Sequence, residues 1–136
     1  MKIATWNVNS LKVRLPQVLD WLATNRPDAL CLQELKLEDK AFPVAELEAA
    51  GYHAVFIGQK TYNGVAILSL RPFDGLSPGL PGDPADEQAR YLEARIGDLR
   101  VASIYLPNGN PVGTEKFTYK LAWMERLYAR AAALLE

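Results

Sequence analysis

Along the first eight residues Ile3, Thr5 and Asn7 alternate with Ala4, Trp6 and Val8, a period of two that predicts a β-strand ending near Asn9-Ser10. The period then changes. Leu15, Val18, Leu19 and Leu22 recur at helical spacing, with Pro16 expected in the first turn and "NRPD" closing the segment. The apolar run "DALCLQ" suits a buried strand, so residues 1 to 34 read as a βαβ unit whose two strands run parallel. Asn7 and Glu34 then lie at one edge of the sheet, the carboxyl edge where α/β proteins place their sites.

A short helix is expected around Pro43 to Ala50, before Gly51, and "YHAVFI" and "GVAILSL" read as strands joined by "GQKTYN". The stretch "PFDGLSPGLPGDPADE" is so rich in Pro and Gly that it is expected to be a long irregular surface loop. "RYLEARIGDLRVASIY" reads as a hairpin. With Gly97-Asp98 as a two-residue turn, Ile96 faces Leu99 and Arg90 faces Tyr105 at the far end. The same register sets the like-charged Arg95 and Arg100 opposite each other. The last segment repeats Phe117, Leu121, Met124, Tyr128, Ala131 and Leu135, an amphipathic helix with Thr114 as its expected N-cap.

Composition narrows the choices. At 136 residues and 49% hydrophobic content the chain is long enough for one packed domain, which would bury roughly two-thirds of its unfolded surface. A formal net charge of -1 gives no global basic field, so any anion binding must be local. Cys31 is the single cysteine and excludes an internal disulfide. The N-terminus "MKIATWNVNS" has no long apolar region and no run approaches the ~18 residues that span a bilayer. A soluble, cytoplasmic protein with no membrane contact is expected.

The chemistry-bearing residues gather at strand ends: Asn7, Glu34, Arg90, Tyr105 and Asn108. A carboxylate beside an amide oxygen suits Mg²⁺, which keeps several waters and usually takes one or two carboxylates plus phosphate oxygens. Each residue also has an ordinary explanation. Glu34 alone reads as a solvated strand-end carboxylate, Asn7 and Asn108 as turn formers, Tyr105 as an amphipathic strand residue and Arg90 as a surface charge. His53, in mid-strand, reads as structural, and Lys36, Lys60, Lys116 and Lys120 either line a phosphate edge or simply solvate the surface. The residues alone support an α/β domain with an anion or metal edge and leave the function open.

The ordered set "WNVNSLKVRLPQVLDWL", "PDALCLQELKL", "GQKTYNGVAILS", "RYLEARI", "YLPNG" and "EKFTYKLAWMERL" resembles the exonuclease III branch of the endonuclease/exonuclease/phosphatase superfamily, over essentially the whole chain. The resemblance implies a metal-dependent DNA-repair hydrolase that cleaves at abasic sites and trims duplex DNA 3′ to 5′ with Mg²⁺ or Mn²⁺. Its substrate would be duplex DNA with abasic or 3′-blocked ends. By resemblance Glu34 and Asn7 match the metal site, Tyr105 and Asn7 the catalytic set, and Arg90, Asn108 and Lys36 the contacts to DNA phosphate.

Members of this family are about twice as long. Their Gly-Asp-x-Asn and terminal Ser-Asp-His segments do not occur here, and neither does a match for the catalytic histidine or the water-activating aspartate. The resemblance therefore implies that residues 1–136 are the N-terminal half of one such domain. The expected fold is α/β, half of a four-layer α/β sandwich, a mixed β-sheet with helices on its outer face. A half sandwich is expected to leave an apolar sheet face bare and so to self-associate, and the isolated chain is expected to be nearly inactive. The alternative is a non-catalytic module that binds DNA or a partner.

Overall fold

The computed structural model describes all 136 residues, which form two compact units, residues 1–79 with 88–105 and residues 80–87 with 106–136. The first unit opens with strand β1 (Ile3–Asn7), helix α1 (Leu11–Asn25) and strand β2 (Ala29–Gln33), with β1 and β2 parallel as the pattern predicts. Ser10 caps α1, its hydroxyl accepting from the Val13 amide at 3.4 Å. The helix starts earlier than expected, so Pro16 lies in its second turn. Pro16 and Lys12 are both exposed, and solvent can take the carbonyl that proline leaves without its helical partner.

A short helix α2 (Val44–Ala49) leads into β3 (His53–Ile57) and β4 (Val65–Ser69). The four strands form one mixed sheet in the order β1-β2-β4-β3. One face carries Leu30, Leu32, Ala66 and Leu68 into a cluster with Leu11, Val18 and Leu22 of α1 and Leu47 of α2. Burying such side chains is the main favourable term of the fold, at about 25 cal/mol per Å².

Two expectations are corrected here. The Pro- and Gly-rich segment contains a strand, β5 (Gly75–Pro78), paired antiparallel with β6. It is exposed along its whole length, so its side chains carry no burial signal, and at the edge of a sheet a proline removes no needed donor. With β6 (Tyr91–Ile96) and β7 (Leu99–Ile104) it forms a second, three-stranded sheet in the same chain. The inner face of the first sheet is therefore not bare. Ala29, Cys31, Val65 and Ile67 pack against Leu92, Ala94, Ile96 and Val101 of the second sheet, which removes the reason for self-association through that face.

The β6–β7 register is the predicted one, with Ile96 facing Leu99, and the Tyr105 amide bonds the Arg90 carbonyl at 2.8 Å just beyond the ladder. Arg95 does face Arg100. The repulsion is relieved because Arg100 pairs with the buried Glu93 carboxylate at 3.1 Å, which also accepts from Tyr91.

The second unit holds helix α3 (Glu115–Leu134), with Thr114 at its N-cap position but its hydroxyl turned back to the Pro111 carbonyl. Arg126 ties the helix to the 80–87 segment through Asp86 at 2.8 Å and the Leu80 carbonyl at 2.7 Å. The expected apolar stripe is largely exposed at Leu121, Met124, Tyr128 and Leu135, and the buried residue of α3 is Trp123. No helix is long and apolar enough to cross a membrane.

Candidate active site

Asn7 ends β1, Glu34 follows β2, and Arg90 and Tyr105 flank the β6–β7 hairpin, so one end of the two-sheet unit receives all four. The backbone past the strands holds them there. The amides of Val8, Ser10 and Leu11 bond the carbonyls of Gln33, Glu34 and Leu35 at 3.0, 2.9 and 3.0 Å, continuing the parallel ladder beyond β1 and β2. Gly64 joins this loop to the arginine segment, since its carbonyl accepts from Leu35 and its amide donates to Ala89. At φ +96° a Cβ on Gly64 would lie 2.8 Å from that of Leu35, so no larger residue fits the junction.

The Tyr105 hydroxyl donates to Glu34 Oε1 at 2.6 Å. Arg90 lies over the Tyr105 ring, 4.7 Å from its centroid, and donates to the Tyr105 carbonyl at 3.3 Å. Lys36 Nζ is held by Asn9 Oδ1 at 2.6 Å and stands 3.8 Å from Glu34 Oε2. The Asn7 side chain hydrogen-bonds Glu34, while Asn7 Oδ1 accepts from the Asn9 amide at 3.1 Å. Asn9, Glu34 and Lys36 all have left-handed backbone at φ 44, 57 and 55°. That is an uncommon conformation for side chains larger than glycine, and such strain collects at functional sites.

Charge follows geometry. Burial works to raise the Glu34 carboxyl, but the bonds from Tyr105 and Asn7 and the charges of Lys36 and Arg90 outweigh it and hold the group below its ordinary value. Tyr105 moves the other way, raised by burial and by its bond to the Glu34 carboxylate, with Arg90 opposing. At neutral pH the pair is a carboxylate and a neutral phenol that donates.

The structure thus brings together Asn7, Glu34, Lys36, Arg90 and Tyr105. Asn108 belongs to the second unit, where it is exposed and its carbonyl accepts from Lys120 at 3.5 Å. His53 pairs with Ser69, and Ser69 with Ala29, which puts it at the end of the first sheet opposite Asn7 and Gln33. No group of three or more His, Cys, Asp or Glu gathers anywhere. One carboxylate with a neighbouring amide oxygen is too few donors for a zinc site, and fits a hard cation that keeps water and shares phosphate oxygens.

Two residues were missed by sequence reasoning. Asn9 orients Lys36, and its signal was a second asparagine two positions after Asn7. Gln33 is 7% exposed, and its Nε2 donates to Thr5 Oγ1 at 2.9 Å and Ser103 Oγ at 3.2 Å. Its signal was an amide inside an otherwise apolar strand.

A sequence model of the Endonuclease/Exonuclease/phosphatase family matches residues 4–136. Exodeoxyribonuclease III of Haemophilus influenzae is 36% identical over the whole of this chain, which spans 51% of that relative. Among solved structures, the 3′ phosphatase NExo from Neisseria, bound to a product DNA hairpin, superposes with a TM-score of 0.91 at 51% identity, over 93% of this chain and 49% of that one. An AP endonuclease from Archaeoglobus fulgidus gives 0.90 at 48% identity, over 95% and 50%. The chain therefore spans about half the length of these relatives, in the same mixed α/β fold, with its carboxylate–phenol–arginine cluster at one end of the paired sheets, and it belongs to the Endonuclease/Exonuclease/phosphatase family.

Proposed function

We propose that this chain is the part of a DNA-repair nuclease that binds the scissile phosphate, acting on duplex DNA at abasic sites and at blocked 3′ ends. The observation that carries this reading is the Tyr105–Glu34 bond with Arg90 stacked on the same ring. Arg90 supplies a fixed positive charge for a phosphate oxygen. The neutral Tyr105 hydroxyl is a donor that can turn from Glu34 to an oxygen on which charge develops. Lys36 is assigned a further phosphate contact in this cluster, and Asn108, within the second unit, a phosphate contact of its own. Glu34, with Asn7, would hold Mg²⁺ or Mn²⁺, which when bound neutralises charge on the phosphate. Asn7, like Tyr105, favours the charged form of the Glu34 carboxylate.

Nothing in this cluster is suited to take a proton from water, since His53 is at the other end of the sheet. Positioned proton transfer contributes about 10²- to 10⁴-fold, so the 136-residue chain by itself should cleave poorly. That same observation favours the second reading, a module that binds DNA without cutting it.

Mn²⁺ binding to the purified chain, measured with and without an abasic-site duplex, tests the site. Glu34→Gln keeps the shape and removes the charge, and should weaken Mn²⁺ binding by more than about tenfold. Unchanged binding would remove Glu34 from the metal role. The reading frame beyond Glu136 separates the two functions: Gly-Asp-x-Asn and Ser-Asp-His segments favour the nuclease, a stop codon the binding module.

A further inference from the structure

Asn7 ends β1, Glu34 directly follows β2 and Tyr105 directly follows β7, and those three strands meet at one side chain. Gln33 ends β2, in register with Asn7 of β1, and points between the two sheets. Its amide donates to Thr5, two residues before Asn7, and to Ser103, two residues before Tyr105. The Ser103 hydroxyl in turn donates to the Leu32 carbonyl at 2.9 Å. A continuous run of hydrogen bonds therefore crosses from one sheet to the other one step behind the site. Glu34 is the next residue, with left-handed backbone, and its carboxylate is held by the Tyr105 hydroxyl at 2.6 Å.

We propose that Gln33 is a positioning residue: its buried amide ties β1 and β7 to β2 and so sets the distance of Tyr105 from the Asn7–Glu34 pair. The proposal rests on the nuclease reading only in taking that pair as the working one.

Two physical points separate this role from ordinary core packing. An apolar side chain of the same length would fill the space between the sheets without desolvating an amide, and the buried Ser103 hydroxyl would keep its bond to the Leu32 carbonyl, so the polar residue gains little stability over its isostere. What it adds is direction. Two donors on one planar group fix both partners at once, whereas apolar contacts let the sheets slide and rotate against each other. Thr5 and Ser103 lie on the same strand faces as Asn7 and Tyr105, so a shift at either hydroxyl passes directly to the site.

The test uses the full chain with ¹³Cζ-labelled tyrosine. The Tyr105 signal, assigned by Tyr105→Phe, reports the phenol's hydrogen bond, and Glu34→Ala gives its position when that bond is gone. Gln33→Met should move the Tyr105 signal toward the Glu34→Ala position while the thermal midpoint changes little. Thr5→Val should move it part of the way, and Thr5→Ser, which keeps the hydroxyl, should restore it. A lower midpoint with an unmoved Tyr105 signal makes Gln33 a packing residue and overturns the proposal, as does no change in either quantity. If Gln33→Met does not fold, the exposed Thr5 pair decides by the same criterion. This readout needs neither DNA nor metal, so it stands apart from the Mn²⁺ measurement on Glu34→Gln that tests the nuclease reading.

Discussion

Leu30 and Leu32 leave β2 toward α1 and α2, while Ala29, Cys31 and Gln33 leave the same strand toward the second sheet. All five are buried. The helix-facing side is a continuous apolar layer whose nearby polar group, the Tyr52 hydroxyl, is tied to the Pro27 carbonyl at 2.7 Å. The sheet-facing side turns polar step by step, from Ala29 through the Cys31 thiol to the Gln33 amide, and then opens onto Glu34. Equal burial thus hides two tasks. One face holds the fold together, and the other carries geometry to the site.

Leu32→Ala probes the first task and should show the largest effect. Leu32 is fully buried in the helix-facing cluster, and such truncations cost about 2–5 kcal/mol through lost transfer energy and a residual cavity. Denaturant unfolding should show this loss, while the remaining folded protein keeps the Tyr105–Glu34 signature. A cost below about 1 kcal/mol would mean that the helix-facing layer is not the principal support.

Cys31 probes the other face through pH. Burial raises its thiol from 9.0 to about 11, with a bond to Ser103 opposing. The folded value is above the unfolded one, so the stabilisation is fully present below pH 9 and is lost as the pH rises toward 11. Two pH units correspond to about 3 kcal/mol as an order of magnitude. Cys31→Val should flatten that part of the alkaline stability curve relative to the unsubstituted chain. An unaltered slope would show that the thiol is not shielded in the inter-sheet layer.

How much of this was readable beforehand depended on whether burial left a period in the sequence. The βαβ start, the helix α1 and the β6–β7 register all follow from alternation or from a two-residue turn, and they put Asn7 beside Glu34 and Arg90 beside Tyr105. The strand β5 left no such trace, because an exposed edge strand is held by backbone bonds alone. The expected bare inner face had another source, the resemblance, which implies one sheet per half; the β6–β7 hairpin itself covers Ala29, Cys31, Val65 and Ile67. Alternation in α3 was real, yet Leu121, Met124 and Tyr128 are exposed, since a periodic stripe states what a helix can bury and not what covers it. Gln33 was hidden by its neighbours. An amide in an apolar run gains its role only from Thr5 and Ser103, which lie 28 and 70 residues away.

The smallest effect belongs to the site itself. Glu34 is held below its ordinary carboxylate value of 4.5 because the bonds from Tyr105 and Asn7 and the charges of Lys36 and Arg90 outweigh its burial. A depressed folded value stabilises the fold above the unfolded value, and that contribution disappears as the pH falls below 4.5 through the folded one. The carboxylate is partly solvated, so screening keeps the gain small. Acid titration of stability should therefore show a shallow loss below pH 4.5 that is absent in Glu34→Gln. Gln33→Met should reduce the same loss if the amide sets the approach of Tyr105, because a phenol held farther away no longer favours the charged carboxylate. Leu32→Ala should leave it in place at lower overall stability. Equal acid slopes in Gln33→Met and the unsubstituted chain, with Glu34→Gln flat, would mean that the two faces of β2 do not differ in what they pass to the site.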